Sequence, residues 1–171
     1  LPCEHNLIEK LKKVFPSFGL NININTLHNN VILSNNFKHI YGLTELIATD
    51  GDISYPITNV SFMQVNDEIA DKIYNHVMTF INKNDVVVNA YSGTGVLSAN
   101  ISKLASVVYG IEIVKEASMS ADILAKNNKI SNMINICGDC TKEIPKLLSS
   151  GLKNHIIVVD PPRKGCDEKV L

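Results

Sequence analysis

Val86-Val87-Val88-Asn89-Ala90-Tyr91-Ser92-Gly93-Thr94-Gly95 decides the fold. Its unbroken apolar triplet suits a strand covered on both faces, and the glycines after it mark a tight turn into a helix. Outward from this stretch the chain alternates in type. Gly95–Leu104 reads as helix, Val107–Val114 as strand, Lys115–Asn127 as helix, Met133–Gly138 as strand, Thr141–Leu148 as helix and Ile156–Val159 as strand. That alternation, with a second continuous apolar run at Ile156-Ile157-Val158-Val159, gives an α/β class with a parallel βαβ sheet. Just upstream, Asn66 can cap a helix with Asp67 and Glu68 in its first turn. Ile69, Ala70, Ile73, Val77, Phe80 and Ile81 would form its apolar stripe.

Residues 1–60 have a different character and are expected to form a separate unit from 61–171. Glu4–Phe15 places Leu7, Ile8, Leu11, Val14 and Phe15 at helical spacing until Pro16 stops the pattern. Period-two or short β-type runs follow at Leu20–Asn25, Val31–Ser34, Phe37–Tyr41 and Leu43–Thr49, and Asp50-Gly51 signals a hairpin into Ile53–Ile57. A small antiparallel α+β segment is the expectation. The Lys10, Lys12, Lys13 cluster reads as a solvated helix face.

Composition narrows the function classes. Of 171 residues, 45% are hydrophobic and 19% charged, which excludes a disordered or collagen-like chain. No apolar run reaches the ~18 residues of a membrane span, and the first residues lack the pattern of a secretory signal, so a cytoplasmic protein with no membrane partner is expected. Sixteen basic against seventeen acidic residues give a net charge of −1, so any contact with a polyanion must be local. Four cysteines in such a chain read as thiols. The five histidines are scattered, with no acid at ligand spacing, and no metal site is assigned.

In a parallel sheet, ligands bind at the carboxyl ends of the strands. After the first strand, Gly93 and Gly95 let the backbone pass close to a ligand. The second strand ends at Glu112, 19 residues after Gly93. That is close to the separation of about 20 between a glycine loop and the carboxylate that accepts from ribose hydroxyls. Dinucleotide binding would prefer a third small residue of the Gly-x-Gly-x-x-Gly pattern where Ser98 stands, and nothing else supplies a nicotinamide site, so a nucleoside without pyrophosphate fits better. S-adenosylmethionine (SAM) matches. Asp139, after the third strand, can accept from an adenine amino group or cap the next helix. The fourth strand runs into Asp160-Pro161-Pro162-Arg163, where two prolines stiffen the loop and fix the Asp160 carboxylate at the strand tip. Methyltransferases acting on amino groups end a similar motif in an aromatic residue; Arg163 takes that place here and directs the reading to another target atom.

Ser61-Phe62-Met63-Gln64-Val65-Asn66, Ala90–Gly95, Gly110–Val114, Gly138-Asp139 and Asp160–Asp167 resemble, in order, the motifs of SAM-dependent RNA uracil-5-methyltransferases acting on ribosomal and transfer RNA. The resemblance runs from about residue 61 to the end. It implies a partial Rossmann-like methyltransferase sheet, its first four strands, with SAM contacts at Gln64, Tyr91, Glu112 and Asp160, joined by Gly93, Gly95 and Asp139 from the loop reading. Gln64 rests mainly on the resemblance. Asn89 departs from the acidic residue common at the end of the first strand.

The same resemblance implies a mechanism. Uracil carbon-5 is a poor nucleophile, so a thiolate first adds at carbon-6, and a base later removes the carbon-5 proton. The cysteine of the family's Ser-Cys-Asn-Pro segment and the following carboxylate base are not among these 171 residues. The chain is therefore expected to be a fragment with no catalytic residue of its own, whose parent enzyme takes an rRNA or tRNA substrate. The other reading is a non-catalytic module that binds SAM or RNA. An apolar Ile156–Val159 lacking a neighbour would expose a strand edge, and self-association is the corresponding expectation.

Overall fold

The structure, a computed structural model, describes residues 3–26, 33–34, 36–59, 66–153, 155–162, 165–168 and 170. The chain divides into two compact units, Leu1–Ile47 with Ile57–Val60, and Ala48–Pro56 with Ser61–Leu171. The hairpin segment 48–56, expected with the amino-terminal layer, thus groups with the parallel sheet.

In the first unit, α1 (Glu4–Val14) ends one residue before the Phe15-Pro16 step, where proline disfavours the helical conformation of its predecessor. Strands β1 (Gly19–Asn23) and β2 (Phe37–Gly42) pair antiparallel, with an irregularity between Leu20 and Asn21. Lys12 ion-pairs with Glu9 at 2.8 Å and lies 5.0 Å from the centre of the Tyr41 ring, so part of the lysine cluster is already engaged. Of the expected run Val31–Ser34, Val31 and Ile32 lie outside the described residues. Leu33 and Ser34 are not in a strand. The Asn23 side chain instead accepts from the Ser34 N–H at 3.0 Å and donates to the Ser34 carbonyl at 2.8 Å, diverting these groups from a ladder.

The hairpin formed by β3 (Leu46–Asp50) and β4 (Ile53–Ile57), of which residues 48–56 belong to the second unit, turns through left-handed Gly51. Helix α2 (Asp67–Met78) is capped by Asn66, whose side chain accepts from the Ile69 N–H at 3.1 Å. Then β5 (Val86–Ala90), α3 (Val96–Ser102), β6 (Val107–Glu112), α4 (Lys115–Asn127), β7 (Met133–Cys137), α5 (Cys140–Ser149) and β8 (His155–Val159) follow in the expected alternation. The four strands are parallel in the order β7-β6-β5-β8. Among the described residues no helix is long and apolar enough to cross a membrane.

Alternate residues of β5 explain the apolar triplet. Val87 packs with Leu97 and Ile101 of α3, whereas Val88 and Ala90 pack with Cys140 and Ile144 of α5, so helices cover both faces. The expectation for β8 is met only in part. Ile156, Ile157 and Val158 are half-buried, Val159 is exposed, and among the described residues β8 pairs with β5 alone. The α2 stripe is also narrower than its sequence suggests. Ala70 and Ile81 are buried and Val77 half-buried, while Ile69, Ile73 and Phe80 are 48%, 51% and 62% exposed. Within α2, at about 100° per residue, Ala70 and Val77 lie roughly 70° from Ile69 and Ile73, and the core covers only the first pair; Phe80 and Ile81 follow the end of the helix.

Two positions set the geometry of the loops. Gly95, at φ 87°, begins α3 against α4 and β7: a Cβ there would stand 2.8 Å from Ala121 Cβ and 2.7 Å from Met133 Cε. Asp139 caps α5, accepting from the Thr141 N–H at 2.9 Å and the Thr141 hydroxyl at 2.8 Å. Gly95→Ala is expected to lower unfolding free energy by about 2–4 kcal/mol in urea denaturation, from left-handed strain plus overpacking. Asp139→Ala should cost about 1 kcal/mol in the same measurement, and Asp139→Ser should recover most of it.

Candidate functional site

The strand order reverses at β5: the chain runs from β5 to β6 and β7 on one side and returns to β8 on the other, and a crevice opens at the carboxyl ends of the strands at such a switch point. The β5–α3 loop enters it with three left-handed residues, Tyr91 (φ 61°), Gly93 (φ 57°) and Gly95 (φ 87°). Glycine takes this conformation freely, but Tyr91 does not, and such strain collects at functional positions. The Ser92 N–H donates to the Ile111 carbonyl at 3.0 Å, and the Gly95 N–H to the Ser92 carbonyl at 3.0 Å, which fixes the loop between β5 and β6. A Cβ at Gly93 would meet nothing within 4 Å, so this glycine faces open space, whereas Gly95 is a packing glycine.

Glu112 closes the arrangement from the tip of β6. Its Oε2 accepts from the Gly93 N–H at 2.9 Å and its Oε1 from the Val114 N–H at 2.8 Å. Both oxygens are therefore oriented, and each retains acceptor capacity for a hydroxyl. The same bond disfavours a pyrophosphate at Gly93, because the N–H that would receive a phosphate already serves a carboxylate.

A cavity of about 330 Å³ lies beside the loop, within the usual range for small-molecule sites. Of the predicted residues, Tyr91, Gly93 and Asp160 line it. Gly95, Glu112 and Asp139 are not on its wall, Glu112 reaching it only through Gly93. Gln64, Arg163 and the rest of 61–65 lie outside the described residues.

Sequence reading missed Asp50, Tyr55, Asp71 and Tyr74, and took Asn89 only as a departure; all five line the cavity. Asp50 and Tyr55 come from the hairpin, which is fastened by Ile53 in the core with Ala99, Leu124 and Met133, and by the Ser54 backbone paired with the Asn128 side chain at 2.9 and 2.7 Å. Asn100 donates to Asp50 Oδ2 at 2.7 Å, and Lys103 pairs with Asp52. The Asp50-Gly51 turn was legible, but not that it folds back on α3 from 50 residues away. Burial, with Asp50 and Asp160 nearby, pushes the Tyr74 hydroxyl up to about 12, so it stays a protonated donor at neutral pH. Asn89, only 2% exposed, donates to Ser98 Oγ at 2.9 Å, and its Oδ1 has no partner. Asn135 Oδ1 is likewise without one but is not on the cavity wall.

The thiols divide by environment. Cys140 is buried, with Sγ 4.0 Å from the Ile111 carbonyl oxygen, and burial pushes its pKa up, which suits an inert structural thiol. Cys137 is exposed, at the carboxyl end of β7, an outer strand of the described sheet. Among the described residues no three His, Cys, Asp or Glu side chains gather as a metal site.

The sequence pattern of the tRNA (uracil-5-)-methyltransferase family matches residues 4–171. An uncharacterized RNA methyltransferase of Caldanaerobacter subterraneus subsp. tengcongensis is 38% identical over 100% of this chain, and one of Clostridium tetani is 37% identical over 100%. The chain spans 38% of the length of each. Among solved structures, the Pyrococcus abyssi tRNA (uracil-54, C5)-methyltransferase in complex with S-adenosyl-L-homocysteine aligns with a TM-score of 0.71 at 19% identity, over 89% of this chain and 36% of that one. A SAM-dependent methyltransferase from Agrobacterium tumefaciens aligns at 0.59 with 18% identity, over 75% and 44%. These two likenesses speak to the fold, a Rossmann-like methyltransferase sheet, while the match over nearly the whole sequence shows that the chain belongs to the tRNA (uracil-5-)-methyltransferase family.

Proposed function

We propose that this chain is the SAM-binding part of a cytoplasmic enzyme that methylates carbon-5 of a uridine in rRNA or tRNA. The observation that carries the cofactor is the Glu112 carboxylate fixed on the Gly93 N–H at 2.9 Å, which favours a nucleoside and repels a pyrophosphate. The unpartnered Asn89 Oδ1 on the cavity wall, the open face of Gly93 and the Asp160 carboxylate fit the same ligand. Bound there, SAM supplies an electrophilic methyl group.

The chain's own residues bind and orient. Glu112 accepts from the ribose hydroxyls, the loop backbone at Gly93 allows close approach, Tyr91 and Asp160 border the reacting end, and Asn89 accepts a donor of the ligand. Cys140 is buried, Cys137 lies on the outer strand β7, and neither lines the cavity, so neither is assigned as the thiolate that adds at uracil carbon-6. In this reading the nucleophile and the base that removes the carbon-5 proton come from polypeptide beyond these residues, in keeping with the 38% span of the relatives. The target uridine leaves its stack to reach the methyl group.

Glu112→Ala is expected to weaken SAM at least tenfold in titration calorimetry with an unchanged circular-dichroism spectrum. Unchanged affinity in a folded variant would end the assignment of the cofactor site. The edge of β8 that is unpaired among the described residues supports self-association, to be seen as a dimer or larger species in sedimentation velocity; a monomer whose β8 amides exchange freely would overturn it.

A further inference from the structure

The cavity beside the glycine loop has a charge pattern that the motif residues do not account for. Its described walls carry the carboxylates of Asp50, Asp71 and Asp160 and the rings of Tyr55 and Tyr74, but no lysine, arginine or histidine. Three carboxylates on the walls of one cavity, with no basic side chain among its described residues, present acceptors of one sign to whatever enters, and a positive group is favoured there over a negative one. Asn89 points independently to a ligand. Its side chain is almost wholly buried on this wall, its amide is fixed by Ser98, and its carbonyl oxygen lacks a donor. A cationic hydrogen-bond donor satisfies both conditions.

Asp50 is the part of this wall most evidently built for a purpose. It stands at the end of β3, on a hairpin fastened to α3 and α4, and the buried Asn100 side chain donates to one carboxylate oxygen at 2.7 Å. Orientation by a neighbour that is itself packed is what a binding residue needs. The Tyr74 hydroxyl keeps its proton beside Asp50 and Asp160, so it adds no further negative charge, and tyrosine rings offer their faces to a cation.

We propose that Asp50 is a further cofactor-binding residue whose carboxylate recognises the positive charge of the ligand. The inference rests on the SAM reading above. SAM carries an ammonium and a sulfonium group, and the hairpin would thus contribute to a site otherwise assembled from strand tips. Asp50 binds charge and takes no part in bond making.

Calorimetric titration of the 171-residue chain with SAM and with 5′-methylthioadenosine separates the possibilities. The second probe keeps the nucleoside and the sulfur but carries neither positive group. Asp50→Asn, which keeps an acceptor for Asn100, is expected to weaken SAM at least tenfold and to leave 5′-methylthioadenosine within twofold. Asn100→Ala, which frees the carboxylate, should weaken SAM by a smaller factor in the same sense. Equal loss for both probes, or no loss for either, overturns the assignment of Asp50. If the unaltered chain binds neither probe, the SAM reading itself fails.

Discussion

One carboxylate, Glu112, ties the tips of the two central strands together, and the candidate site depends on that tie. The Gly93 N–H it accepts from is available only because the loop takes left-handed turns at Tyr91, Gly93 and Gly95, and the loop can turn there only because Gly95 lacks the Cβ that would strike Ala121 and Met133. Packing at α4 and β7 thus sets the position of a backbone donor several residues away. The bond decides chemistry as well as shape. A free N–H at that point would favour phosphate, whereas an N–H already held by a carboxylate turns the loop toward uncharged hydroxyls and cationic groups.

The hairpin is a second constraint of the same kind. Ile53 enters the core between α3 and α4, and the Ser54 backbone pairs with the Asn128 side chain much as it would with another strand. These contacts leave Asp50 on the cavity wall. An extended segment whose backbone is satisfied by a helix-terminal asparagine needs no third strand, and its turn can serve as a wall.

The parallel sheet, the glycine loop and the carboxylate after β6 were legible because each rests on local signals: an apolar run, a Gly-x-Gly turn and a fixed spacing. Asp139 was legible only as an ambiguity. Its first oxygen caps α5 through Thr141, and any role toward an adenine group stands beside that cap. What escaped the sequence was non-local. The α2 stripe gives no hint that Ala70 and Ile81 are covered while Ile69, Ile73 and Phe80 are exposed, because periodicity reports an apolar face and not the width of its neighbour. Asp50 gave a turn signal and nothing more, since its partner Asn100 is 50 residues away. The exposure of Cys137 was not legible either, because the edge position of β7 is a property of strand order.

Charge then connects the cavity with the substrate. An RNA methyltransferase must attract a polyanion and hold a cationic cofactor, and one surface cannot do both well. The described cavity walls are acidic, and the chain as a whole carries a net charge of −1. Phosphates are repelled from such a cavity, yet uracil is uncharged at neutral pH and meets no such barrier. In the proposed reading the acidic wall therefore sorts the substrate into its parts. The base leaves its stack and approaches the methyl group, while the backbone stays outside, where its affinity must come from basic groups elsewhere in the protein. In that reading, preference for an uncharged base over the phosphate backbone beside a positive cofactor follows from where the carboxylates stand, before any base-specific contact is made.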